Sequence, residues 1–192
     1  MSVGFADILR LARYTVSNPR EGARAVLEMD LPMEARWVAL VLTAVAAALV
    51  TFVGVAALPA EVRALLGDDL PSPLFSAALQ TGLLVLAAGL IHRIGAWRGG
   101  TGTFADALLL VAWLQFILLC LEVLQLAAQL LLPPLADVLG VVGIVLFFWL
   151  LTHFIAELHG FRSTVAVLGG ILLALVGIAF ALAAIMMPFM GP

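Results

Sequence analysis

Lysine is absent from this chain of 192 residues, and all nine basic side chains are arginine. Charge of any kind is scarce, at 11% of residues, where an ordinary soluble domain carries about 25%. So few charges exclude a soluble globular domain, and no arginine-aromatic groove for nucleic acid is present. Cysteine occurs once, as Cys120 inside an apolar run. An intramolecular disulfide is therefore impossible, and the thiol reads as a small buried hydrophobe. No Gly-x-x-x-x-Gly-Lys loop occurs and no serine is framed by glycines, so phosphate-loop and serine-nucleophile chemistry have no support. Residues 1–36 lack a continuous apolar core, and a cleavable signal peptide is not expected.

What the chain does have is apolar length. It is 65% hydrophobic with a mean hydropathy of +1.22. Crossing a bilayer core of about 30 Å takes roughly 20 apolar residues as a helix, and five stretches qualify. They run from Trp37 to Leu58, Leu74 to Ile94, Phe104 to Leu132, Leu135 to about Leu158, and Val165 to Met187. Each reads as a helix, because an open strand leaves its backbone polar groups unsatisfied in lipid. Pro133-Pro134 marks a tight hairpin between spans three and four. The expected fold is an all-α membrane bundle of five spans over residues 37–192, preceded by a polar segment over 1–36.

Arginine placement sets the expected orientation. Arg10, Arg13, Arg20, Arg24 and Arg36 precede span one, Arg93 and Arg98 follow span two, and Arg162 follows span four. The other face holds Arg63 alone, beside Glu61, Asp68 and Asp69. The pattern predicts N-inside, C-outside, with Trp37 and Trp97 in the cytoplasmic aromatic belt. In residues 1–36, Phe5, Ile8, Leu9, Leu11, Ala12 and Val16 alternate with Asp7, Arg10 and Arg13. That pattern suits a short amphipathic helix in the cytoplasmic interface. Ser17-Asn18-Pro19 then opens a second helix, from Pro19 to about Glu28, with proline at its first position. Arginines on such helices commonly contact lipid phosphate.

Ionisable groups at the edges of apolar spans are expensive unless paired or wetted, which makes them candidate functional residues. His92, Arg93, Asp106, His153, Glu157, His159 and Arg162 all fall on the expected cytoplasmic face. His153 and Glu157 share a helix face, four residues apart. Glu157 stands near a helix C-terminus, which disfavours a carboxylate, so it needs a partner; His153 and Arg162 are the nearest. The leading expectation is a hydrogen-bonded polar cluster tying spans two, three and four together. Its rivals are a metal site, from His92, His153, Glu157 and His159 with Asp106 in reach, and a proton or lipid-headgroup site. For Asp106 alone, capping of span three by Thr103 gives a sufficient reason.

Span three carries Gln115, Glu122, Gln125 and Gln129 on one face, with Gln80 of span two at comparable depth. Interhelical hydrogen bonding is the expected role; a polar cavity for substrate or ions is the alternative. Gly170, Ala174, Gly177, Ala181 and Ala184 form a small-residue stripe on span five, suited to the bundle interior or to a homodimer.

Three segments carry a resemblance: Asn18-Pro19-Arg20-Glu21, Gly99-Gly100-Thr101-Gly102-Thr103-Phe104 and Glu157-Leu158-His159-Gly160-Phe161. With the five-span layout, the chain resembles a bacterial member of the Yip-one domain family of small membrane proteins. The resemblance implies a five-span fold over most of the chain. Eukaryotic relatives are linked to vesicle traffic, organisation of Golgi and endoplasmic-reticulum membranes, and binding of prenylated Rab-type GTPases. Their acidic Asp-Leu-Tyr-Gly-Pro type motif is absent here, which weighs against a Rab-type partner.

The expected function is non-enzymatic: a bacterial inner-membrane protein that organises membrane or assembles with other membrane proteins. The alternatives are a lipid or ion translocator using span three's polar face, and an intramembrane metal-dependent enzyme. Membrane lipids are the expected partners, with a homo-oligomer or other membrane proteins possible; no cofactor and no nucleic acid is expected.

Overall fold

Helix boundaries fall where the local chemistry places them. The structure, a computed structural model, describes residues 4–65 and 71–187; Asp68 and Asp69, counted above beside Arg63, lie outside them. Helix α1 spans Phe5–Ser17, and the Asp7 carboxylate accepts the Gly4 N–H at 3.0 Å. Helix α2 spans Pro19–Leu27 and starts on proline, where no N–H is needed. The pair folds into a hairpin so close that a Cβ at Gly22 would overlap Thr15.

Among the described residues, five helices are long and apolar enough to span a membrane: α3 (Met33–Ala56), α5 (Pro73–Trp97), α6 (Phe104–Leu131), α7 (Pro133–His159) and α8 (Thr164–Met186). A short α4 (Ala60–Leu65) follows α3. The Ser72, Thr103 and Ser163 hydroxyls accept backbone N–H groups at the starts of α5, α6 and α8. Leu132 alone separates α6 from α7, and Gly160 ends α7 in the left-handed region at φ +70°.

Alternating helices bring the start of α3, the end of α5, the start of α6, the end of α7 and the start of α8 to one end. The α1–α2 hairpin packs there as well, against α6 and α7. Helix α6 is the hub, touching α2, α3, α5 and α7. Its residues Ala107 to Ala112, Leu114, Gln115 and Ile117 are buried, so the packed core sits in the hairpin half of the bundle. At the other extreme, Val167 is the only buried residue of α8. Lipid is as apolar as a leucine side chain, so close packing and polar contacts, rather than transfer from water, must hold these helices together.

Candidate functional site

The end of α7 is locked by a ring inserted among glycines. His159 is 3% exposed, and its imidazole fills the space that Cβ atoms would take at Gly95 and Gly100. The Gly102 N–H donates to Nδ1 at 3.3 Å. Nδ1 is therefore the bare nitrogen, and Nε2 carries the proton that it donates to the Ile91 carbonyl at 3.1 Å. From the other side, Nδ1 of His92 bonds the Gly102 carbonyl at 3.0 Å, which requires the opposite tautomer. Two imidazoles thus grip the backbone of one residue, Gly102, through its N–H and its C=O, and tie α7 to α5 and to the loop ahead of α6.

A second lock is built on Arg36, which is 6% exposed. Its Nε donates to the Leu31 carbonyl at 2.7 Å, and its Nη1 to Asp106 Oδ1 at 2.7 Å. Asp106 also accepts from the Thr103 hydroxyl at 2.6 Å, while Thr103 accepts the Asp106 N–H at 3.1 Å. The capping expected for Asp106 is present, and a guanidinium from α3 completes it.

The hairpin supplies the third lock. Arg24 of α2 meets Glu157 of α7 at 2.7–2.8 Å, and that carboxylate pushes the Arg24 guanidinium above its ordinary range. Arg20 donates to the Phe161 carbonyl at 2.9 Å. Two indole N–H groups complete the dock, Trp113 to the Thr15 hydroxyl and Trp149 to the Val16 carbonyl, both at 3.3 Å. Neither His153 nor Arg162 partners Glu157. Local helix spacing favoured those neighbours, but the charge that balances Glu157 arrives from α2, 133 residues away.

A family model described as the Yip1 domain matches residues 13–185. The chain belongs to the Yip1 domain family. No curated protein and no solved structure matches it. In this Yip1 domain, the matched stretch takes in all three locks, the last five residues of α1 and all of α2.

The residues read as one cytoplasmic cluster therefore divide into separate contacts. His92 and His159 hold Gly102, Asp106 belongs to Arg36, and Glu157 belongs to Arg24. His153 stands apart, its Nδ1 on the Trp149 carbonyl at 2.7 Å and its ring 4.2 Å from that indole. Arg93 and Arg162 are exposed, and neither side chain forms an ion pair among the described residues. The candidate ligand set of His92, His153, Glu157 and His159 does not converge. Both nitrogens of His159 are occupied by backbone bonds, leaving no lone pair for a cation. Among the described residues no group of three or more His, Cys, Asp or Glu could hold a metal ion.

The stripe on α6 also differs from its expected role. Gln115 is buried, the Gln125 amide lies over Gly140 of α7, and Gln80 and Gln129 are half-buried. No side-chain hydrogen bond among the described residues joins these glutamines to a neighbouring helix. Glu122 Oε2 is buried without a hydrogen-bond partner. The small-residue stripe of α8 does not face the bundle interior: nothing lies within 4 Å of a Cβ built at Gly170 or Gly177.

Sequence reasoning missed Arg20, Arg24, Arg36, Trp113 and Trp149 as parts of this site. Their one signal is composition. Arginine is spent sparingly here, and an arginine close to an apolar span requires a partner.

Proposed function

We propose that this protein is a non-enzymatic inner-membrane bundle of the Yip1 type, with its N-terminus in the cytoplasm of a bacterium, which organises membrane or assembles with other membrane proteins. One observation carries the reading. The ionisable side chains most suited to chemistry are spent on joining helices: His159 and His92 on Gly102, Asp106 on Arg36, Glu157 on Arg24. A catalytic set needs groups convergent on a space where a reacting atom can sit, and these diverge onto backbone and partner side chains.

The test uses purified full-length protein. It should hold far less than one equivalent of zinc, iron or manganese and turn over no ester, phosphoester or peptide bond. The triple variant with His153, Glu157 and His159 replaced by alanine should lose thermal stability or change assembly state on native gels. Metal-dependent hydrolysis by the wild-type protein overturns the reading.

Glu122 favours a second one. A carboxyl oxygen left without a partner inside a membrane span is a default marker of an ion or proton path. Proton or headgroup flux in proteoliposomes that falls to the level of empty vesicles in Glu122→Gln would support translocation. Wild-type flux no greater than that of empty vesicles removes it.

A further inference from the structure

We propose that His159 is a proton-operated latch: its neutral ring holds the loop ahead of α6 against the end of α7, and a second proton on the ring releases that loop. This inference stands apart from the scaffold reading; either can fail without the other.

The neutral ring has no hydrogen-bonding capacity to spare. Nε2–H donates to the Ile91 carbonyl at 3.1 Å, and the remaining lone pair, on Nδ1, accepts the Gly102 N–H at 3.3 Å. Among the described residues that N–H has no other acceptor. An imidazolium carries two N–H groups and no lone pair. Its Nδ1–H would point at the Gly102 N–H, donor against donor, on a residue only 3% exposed. A buried donor stripped of its acceptor is expensive. Nor can the ring turn aside. It fills the Cβ positions of Gly95 and Gly100, and Phe161 stacks on it with centroids 5.5 Å apart.

The helices packed on the ring bring no free carboxylate to hold an imidazolium in place. From α5 come His92, Arg93 and Arg98, and from the turn after α7 comes Arg162. Arg20 of α2 donates to the carbonyl of Phe161, the residue stacked on the ring. The acids that α6 and α7 bring to this end, Asp106 and Glu157, are engaged by Arg36 and Arg24.

His92 answers acid differently. Its Nδ1–H donates to the Gly102 carbonyl at 3.0 Å, a bond that a further proton on Nε2 leaves intact. Acid therefore parts α7 from Gly102 while Gly102 stays on α5. The Arg24–Glu157 contact still holds the hairpin to α7. Opening is confined to one seam.

Two measurements on the full chain in detergent test this. In protein labelled with nitrogen-15 at histidine, NMR at neutral pH should find the His159 proton on Nε2 and the His92 proton on Nδ1. A His159 that carries its proton on Nδ1 overturns the latch. Amide exchange at Gly102, corrected for the intrinsic effect of pH, should quicken about tenfold per unit of falling pH, the slope of one linked proton. The rise should begin below the ordinary imidazole value near 6.5, while Leu110 in the core of α6 stays protected. In His159→Gln, whose carboxamide oxygen can accept but not titrate, the pH dependence should vanish; in His92→Gln it should persist. Exchange at Gly102 that ignores pH in the wild type overturns the proposal, and so does acid dependence that survives His159→Gln. Should that variant fail to fold, the wild type decides alone: Nδ1 of His159 must gain its proton over the same pH range in which Gly102 loses protection, and protonation without that loss refutes the latch.

Discussion

Gly95 lies inside α5, where glycine costs about 1 kcal/mol relative to alanine, and its backbone does not demand glycine. The imidazole of His159 does, since it occupies the position a Cβ would take. In the wild type, Gly95→Ala should cost about 1–3 kcal/mol, the usual range for overpacking a tight core. In a His159→Ala background the ring is gone, and the same substitution should stabilise by up to about 1 kcal/mol through helix propensity. Denaturant unfolding in detergent reads the cycle; an equal cost in both backgrounds would refute the contact. A second residue can be followed directly, because Tyr14 is the chain's single tyrosine. Its hydroxyl donates to Glu21, and that hydrogen bond, with the nearby negative charge, raises the phenol above its ordinary value. The hydrogen bond needs the protonated phenol. Its contribution is thus complete below the ordinary value near 10 and is lost as pH rises through the raised folded value. Phenolate absorbance should show a midpoint above that of free tyrosine, moving down in Glu21→Gln. An unchanged midpoint in the variant would break the assignment.

At the scale of elements, the α1–α2 hairpin differs from a helix pair afloat in the interface, because α2 is buried on Gly22, Ala23 and Val26. Its contact with α7 is nonetheless polar and partly solvated. Arg24 and Glu157 are 60% and 15% exposed, so solvent screens their pairing and leaves it a weak contribution. Arg20→Ala/Arg24→Ala should therefore speed amide exchange in residues 19–27 several-fold while leaving Gly102 protected. Loss of protection at both places would mean that the locks are one cooperative unit. This difference also marks what could be read from residue order. Prolines, serine and threonine caps and a glycine stop announce the limits of α2, α5, α6, α7 and α8, because capping acts within four residues. The Asp106 cap was legible for the same reason. Docking was not: periodicity says that a helix has an apolar face, not which neighbour covers it. Arg20 and Arg24 meet partners 141 and 133 residues away. Hence residue order matches Glu157 to its sequence neighbours, and it leaves open whether the α8 stripe faces the bundle interior or a second copy; the structure removes the interior.

For the molecule as a whole, the uneven core and the uneven charge coincide. Buried residues of α6 crowd between Ala107 and Ile117, at the end that also carries eight of the nine arginines. A bilayer asks different things of its two faces, since arginine on short segments is retained on the cytoplasmic side. An end held by Arg36–Asp106, Arg24–Glu157 and the two imidazoles can keep such charges in order at the headgroup level, whereas a loosely packed end cannot. Helix α6 adds a length argument: 28 residues make about 42 Å, exceeding a hydrocarbon core of about 30 Å. Its surplus fits best where α2 and α3 already cover it, at the arginine-rich end. The orientation that follows is testable with single cysteines in a Cys120→Ala background. Ser17→Cys should react with an impermeant maleimide only in inverted membrane vesicles, and Glu61→Cys only in right-side-out cells. Both positions are exposed, so accessibility reports sidedness rather than burial. Reaction of Ser17→Cys from the outside would reverse the topology and move all three locks to the external face. Reaction of both sites from both sides would point to mixed insertion. That outcome would deny arginine its control of this chain.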